Sequence, residues 1–244
     1  MGRDEVNKIP KVIHYCWFGN NRKSLMIRKC LETWKKYLSD YKFILWNEKN
    51  FKSENKFYHF ALENKNWAFV SDYVRLKVLY DHGGIYLDTD MYFIKPLSPD
   101  FLNKSSFFGA ENKNLISCGI IGAIPQNGFL KLCLSYYDDF EFQKKKAFKE
   151  PITKSITRLF RENYHYSKYF DSELHFDDIS IFPVNYFYPY PFNINKRLDK
   201  NFIKYATEDT IAIHLWNGSW HKLNEFQYIR RRQYLKATVL IFKN

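Results

Sequence analysis

One stretch confines this chain more tightly than any other: a helical stripe that stops at a glycine pair and runs at once into a short strand tipped by two carboxylates. From Asn66 to His82 the apolar residues Ala68, Val74, Leu76, Val78 and Leu79 recur at close to helical spacing. Gly83-Gly84 ends that helix, as glycine commonly does. Ile85-Tyr86-Leu87 then reads as a strand that reaches Asp88-Thr89-Asp90, and Met91 to Ile94 reads as its continuation beyond the acidic pair, up to the breaks at Pro96 and Pro99.

The first fifty residues place this unit in a larger sheet. Lys11 to Phe18 alternates and is rich in strand formers, with a turn signal at Gly19-Asn20-Asn21. Ser24 to Leu38 carries Leu25, Ile27, Leu31, Trp34 and Leu38 at helical spacing, and Tyr41 to Trp46 is a second strand. Strand, helix, strand is the opening of an α/β sheet. Further strands are expected at Leu115–Ile124, Ile179–Phe182 and Thr210–His214, with helices at Asn127–Tyr137 and Ile152–Glu162. No repeat or low-complexity linker interrupts the chain, so its 244 residues are read as one α/β domain.

Composition excludes some classes. Aromatic residues make up 20% of the chain, far more than disorder would carry. The longest nearly apolar run, Leu115 to Ile124, is about half the ~20 residues a membrane-spanning helix needs. The charged start, Met1 to Val6, lacks a signal-peptide core, and Val6 stands where a myristoylation signal wants Ser or Thr; the expected compartment is the cytoplasm. Cys16, Cys30, Cys118 and Cys133 show no metal-binding spacing and are expected as reduced core thiols. The net charge of +12 suits polyanionic company, whether nucleic acid, an anionic membrane or phosphorylated substrates.

Two carboxylates two residues apart on an extended segment point to one side, and they repel unless a cation sits beside them. Mg²⁺ or Mn²⁺, which favour oxygen ligands and substrate phosphates, suit Asp88 and Asp90. Ligands of open α/β sheets also gather at the carboxyl ends of strands. A calcium-binding EF-hand loop starting at Asp88 fails, because Phe93 and Pro99 stand where Gly and Glu are required. A phosphatase with an aspartyl nucleophile would place its paired acids on the first strand rather than the third. Asp72 and Arg75 share a helix face, which an ordinary surface salt bridge would explain equally well. His214-Leu-Trp-Asn-Gly-Ser-Trp220 offers a nitrogen ligand and an aromatic wall; a core histidine among packing tryptophans is the plainer alternative.

Together, Phe69-Val-Ser-Asp-Tyr-Val-Arg75 and Leu79-Tyr-Asp-His-Gly-Gly-Ile-Tyr-Leu-Asp-Thr-Asp90 resemble the signature of the DXD-containing sugar transferases. These include mannosyltransferase-like and capsular-polysaccharide glycosyltransferases (family 32) and, more distantly, the glucosylating clostridial toxins. Ile9 to Gly19 is similar to their first strand and Phe43 to Asn47 to their second. The likeness is strong over about residues 9–125 and 210–221 and poor over about 140–205. It implies the GT-A fold, a single nucleotide-binding α/β/α domain, with a donor-binding core at about 9–139 and 206–222, an acceptor-side region at 140–205 and a basic tail at 223–244.

The same resemblance implies a metal-dependent enzyme that moves a hexose, with retention of configuration, from a nucleotide sugar to a glycan or lipid-linked glycan in bacterial capsular or lipopolysaccharide synthesis. A UDP-sugar is the favoured donor. By position, Trp17 would stack on the donor base; Asp72 and Arg75 would hold the sugar hydroxyls; Tyr86 would line the donor site. Asp88 would touch ribose and sugar, and Asp90 would ligate Mn²⁺ or Mg²⁺ with His214. The tail departs from the related His-x-x-Gly-x-x-x-Trp loop, since Gly218 falls four and Trp220 six residues after His214, so Ser219 or Trp220 shares that work. The basic tail from Arg230 to Asn244 is expected either as a solvated helix and strand or as a peripheral contact with the inner membrane face. The rival class, a basic aromatic nucleic-acid-binding module, shows no matching motif and leaves Asp88 and Asp90 unexplained.

Overall fold

A computed structural model describes residues 8–139, 150–192 and 198–217. Residues 1–7, 140–149, 193–197 and 218–244 lie outside these, and with them Gly218, Ser219, Trp220 and the basic tail.

The first strand β1 (Val12–Cys16) leads to helix α1 (Leu25–Tyr37), whose N–H at Ile27 is capped by the Ser24 side chain. After β2 (Lys42–Trp46) come α2 (Lys56–Glu63) and α3 (Trp67–His82), then β3 (Gly84–Leu87) and β4 (Met91–Phe93). A hairpin of β5 (Ser106–Asn112) and β6 (Leu115–Ala123) precedes α4 (Gly128–Asp138), and α5 (Ile152–Asn163) follows. Strands β7 (Leu174–His175) and β8 (Ser180–Phe182), the short helix α6 (Val184–Phe187) and β9 (Ala212–His214) complete the described elements. Neither α2 nor β5 carries a clear signal in the sequence, and both are additions to the expected plan.

Among the described residues the main sheet has seven strands in the order β2-β1-β3-β6-β5-β8-β7. β1 runs parallel to β2 and β3, whereas β6 is antiparallel to both β3 and β5. Alternation along the strands builds two cores. Tyr86 and Cys118 face one, with Val70, Val74 and Phe160 of the helices; Ile85, Leu87 and Ile120 face the other, with Trp34, Phe187 and Tyr188. This is the expected α/β/α arrangement. All four cysteines are buried and free, as expected. No helix among the described residues is long and apolar enough to cross a membrane.

Two expectations need correction here. Met91 to Phe93 does not prolong β3; it forms β4, paired antiparallel with β9 in a separate two-stranded sheet, with Met91 opposite His214. Asp88-Thr89-Asp90 is accordingly a turn closed by the Met91 N–H on the Asp88 carbonyl, so the two acids converge by turn geometry and not by strand alternation.

The glycine turn ahead of β3 is fastened by His14. Trp46 Nε1 can only donate, so His14 Nδ1 accepts from it at 3.0 Å, and Nε2 carries the proton donated to the Gly83 carbonyl at 2.9 Å. Gly84 has φ +104, and a Cβ there would lie 2.7 Å from the Val12 carbonyl oxygen and 3.0 Å from His14 Nε2, so only glycine fits. Burial lowers the His14 pKa from 6.5 to about 4, against the hydrogen bond to Gly83. The unfolded chain therefore takes up a proton that the folded one refuses. Stability is expected to be whole above pH 6.5 and to fall as the pH drops toward about 4, by at most about 3 kcal/mol from this group. Urea midpoints at pH 7 and pH 4.5 for wild type and His14→Gln test this: the variant should show the smaller loss.

Candidate active site

The carboxyl end of β3 gathers one charged network. Register brings β1 beside β3, with Ile13 opposite Ile85 and His14 opposite Tyr86. From α3, one face below, Arg75 reaches up to this edge. Its NH1 donates to Asp88 Oδ2 at 3.3 Å and to the Cys118 carbonyl at 2.6 Å, its NH2 pairs with Asp72 Oδ1 at 3.0 Å, and its Nε donates to the Ser71 carbonyl at 3.2 Å. The guanidinium carbon lies 4.7 Å from the Tyr86 ring centre, and Tyr86 OH donates to Asp88 Oδ1 at 3.0 Å.

Asp72 and Arg75 are 7% and 6% exposed, which overturns the surface salt bridge as an account of them. Burial raises the Asp72 carboxyl to about 7, partly opposed by Arg75 and reinforced by Asp88. Burial alone would lower Arg75, but the surrounding Asp88, Tyr86 and Asp72 push it well above its usual range. A buried cation shared by two carboxylates, two carbonyls and an aromatic face is a fixed fork, which Lys could not replace.

On the opposite flank, β9 carries His214 to Asp90. His214 Nε2 lies 3.1 Å from Asp90 Oδ1 and 4.0 Å from Asp88 Oδ2. The turn after β9 grips the same acid: Leu215 N–H donates to the Asp90 carbonyl at 3.1 Å and Asn217 N–H to Asp90 Oδ2 at 2.7 Å. Burial would raise Asp90, yet the charge of His214 and the hydrogen bonds from His214 and Asn217 hold it below the usual carboxylate range. His214 moves the other way, raised by Asp90 against the effect of burial.

One ligand atom from each of Asp88, Asp90 and His214 lies within 4.8 Å of the others. Two hard oxygen donors and one imidazole suit a Mn²⁺ or Mg²⁺ ion that keeps places for substrate oxygens. The ring nitrogen that faces the acids is Nε2, while His214 Nδ1 is the buried side-chain polar atom without a hydrogen-bond partner among the described residues. The donor set therefore fits a divalent cation.

Trp17 extends from the end of β1 but takes no part in this contact network. Its Nε1 donates to the Asn21 carbonyl at 2.7 Å, and Lys23 Nζ stands 4.7 Å over its ring.

Three participants escape a reading of the sequence. Gly119 on β6 gives its carbonyl to the Asp88 N–H at 2.7 Å, and a Cβ there would lie 3.3 Å from Asp88 Oδ2 and 3.4 Å from His214 Cδ2. Tyr188 accepts the Ile120 N–H at its phenol oxygen, and its ring meets that of His214 at 5.5 Å. Burial raises the carboxyl of Glu111, at the end of β5, while the charge of His214 opposes that rise. Only Tyr188 has a visible signal, the dense aromatic and proline run from Tyr186 to Phe192.

Residues 25–108 match the model of a family described as the glycosyltransferase sugar-binding region containing the DXD motif. The chain is 28% identical over 163 residues to a human alpha-1,4-N-acetylglucosaminyltransferase, covering 64% of this chain but 45% of that protein, so it spans less than half the length of this relative. It is 29% identical over 224 residues to an uncharacterized glycosyltransferase, L373, of Acanthamoeba polyphaga mimivirus, covering 87% of this chain and 84% of the viral protein. Among solved structures, the PaToxG glycosyltransferase aligns with a TM-score of 0.52 at 18% identity, over 66% of this chain and 74% of that one, which shows a shared fold.

Proposed function

We propose, on the premise that this chain carries the sugar-binding region of the DXD-containing glycosyltransferases, that it moves a hexose from a nucleotide sugar to a glycan acceptor at the edge formed by Asp72, Arg75, Tyr86, Asp88, Asp90 and His214. The observation that carries this reading is the convergence of Asp88, Asp90 and His214 within 4.8 Å beside the buried Arg75 fork. A nucleoside diphosphate leaves with negative charge, and a bound Mn²⁺ or Mg²⁺ would supply the positive charge that meets it.

The chain's own groups set the rest. Arg75 holds Asp72 and Asp88 in place, so carboxylate oxygens stand ready for the hydroxyls of the donor sugar. An oxocarbenium-like sugar would be stabilised by the same anionic oxygens. Asn217 N–H and His214 keep Asp90 ionised, and Tyr86 orients Asp88. Trp17, at the end of β1, is the aromatic proposed to stack on the donor base. Retention of configuration, a UDP-sugar as donor and a glycan or lipid-linked acceptor in capsular or lipopolysaccharide synthesis belong to this proposal and rest on the sequence resemblance over about residues 9–125 and 210–221 alone. The division into a donor core and an acceptor-side region at 140–205 is proposed on the same footing.

A thermal-shift screen of UDP-glucose, UDP-galactose, UDP-N-acetylhexosamines and GDP-mannose, each with and without Mn²⁺, tests the reading. One donor at about 100 times its Kd is expected to add about 2.7 kcal/mol to native stability, and only when Mn²⁺ is present. A protein that no nucleotide sugar stabilises in either condition would refute it.

A further inference from the structure

The cation site has two flanks of opposite character. Asp72, Arg75 and Tyr86 come from the side of the sheet covered by α3. Tyr188 and Trp216 come from the other side, packed with α1, β4 and α6. That second flank is a run of rings. The Trp216 and His214 centres are 4.2 Å apart at 83°, Tyr188 lies 5.9 Å from Trp216, and Phe192 lies 5.2 Å from Trp216 at 66°.

Trp216 is held in an unusual way. Its φ is +52, a left-handed backbone that a bulky residue rarely adopts. Leu215 N–H and Asn217 N–H, on either side of it, are both bound to Asp90, and the indole Nε1 donates to the Tyr190 carbonyl at 2.7 Å. With its one polar atom satisfied there, the indole presents carbon to its surroundings. Phe192 stands steeply against it and is 45% exposed, despite its apolar ring. Backbone strain kept at a site edge commonly serves the site.

We infer that Trp216 and Phe192 form the acceptor subsite, an aromatic corner that seats the carbon–hydrogen face of a hexopyranose while its hydroxyl edge turns toward the cation site. This rests on the reading of the donor flank given above. Aromatic walls supply broad apolar contact with little loss of side-chain freedom, and a pyranose ring has one face fit to lie on them. Continuity decides the occupant: the corner begins 4.2 Å from the ring of His214, so a sugar lying on it adjoins the place where the donor's anomeric carbon would stand.

Phe192→Ala tests it without touching the cation site. Saturation-transfer NMR would be run on the full chain with methyl β-galactopyranoside, methyl β-glucopyranoside and methyl α-mannopyranoside, beside the Mn²⁺ and nucleotide-sugar thermal shift. At least one glycoside is expected to receive saturation mainly at the C–H protons of a single face. Phe192→Ala should cut that signal about fivefold, Phe192→Tyr should retain it, and both variants should keep the donor's thermal shift. A donor shift in the wild type with no glycoside saturation, or with saturation indifferent to Phe192→Ala, overturns the acceptor subsite alone. No donor shift in the wild type sinks the parent reading, and the subsite with it.

Discussion

Asp90→Asn is expected to leave a folded protein whose melting temperature no longer rises with Mn²⁺ and whose donor turnover falls by on the order of 10³-fold, roughly 4 kcal/mol of barrier. The amide keeps the shape of the side chain and an oxygen for the Asn217 N–H. What it loses is the charge that faces His214 at 3.1 Å. Deprived of that partner, the buried imidazole loses the main influence that raises its pKa against burial. The measurement pairs far-ultraviolet circular dichroism, to certify the fold, with Mn²⁺ titration by thermal shift and hydrolysis of whichever nucleotide sugar the wild type accepts. A folded variant that still gains stability from Mn²⁺ and still turns over its donor would show that Asp90 holds no cation.

Replacing Arg75 should act on stability first. Arg75→Met strands Asp72 and Asp88 at the buried edge and leaves the Cys118 carbonyl unpaired. Breaking a buried ion pair from one side costs about 3–5 kcal/mol, which at this chain length is a fall in Tm of roughly 6–20 °C. Arg75→Lys should fail nearly as badly, because one ammonium cannot serve Asp72, Asp88 and a carbonyl through a planar fork.

The loss should also depend on pH with a definite sign. Burial already raises the Asp72 carboxyl to about 7, and without Arg75 nothing on the helix opposes that rise. A carboxyl whose folded pKa exceeds its unfolded one binds more protons when folded, so Arg75→Met should become more stable as pH falls from above 7 toward the ordinary carboxylate range and lose that help as pH climbs. Adding Asp72→Asn removes the stranded charge and should recover about 1 kcal/mol or more at about pH 8, while flattening the pH dependence. A single variant as stable as the wild type, with an unchanged pH profile, would mean that the fork does not hold the two acids.

How far the chain can be read in advance follows from how local each feature is. α3, the glycine turn and β3 are legible almost to the residue, because stripe, stop signal and strand lie side by side in the sequence. β2 and α1 are equally plain, the latter down to its start at Ser24. α2 and β5 are hidden; both are packed among other elements, and neither shows a clean period of its own. The burial of Asp72 and Arg75 is invisible for another reason. Spacing of three on a helix is the same for a solvated pair and for a pair sealed beneath a sheet edge, and only the packing of α3 against the strands separates them.

The chain alone determined that a helix, a glycine pair and a strand would deliver two acids to one place, because those instructions are written between Asn66 and Asp90 and act through backbone conformation and hydrophobic period. Tertiary structure decided what surrounds them. β9 pairs with β4 from the far end of the described chain, and that pairing sets His214 and the strained Trp216 against Asp90. Strand pairing at such separation is chosen by the packing of the whole core and leaves no periodic trace near Asp90 itself. The acids were therefore readable in order and His214 was nameable as a candidate partner, while only the pairing of β9 with β4 brought that histidine and its aromatic flank against Asp90.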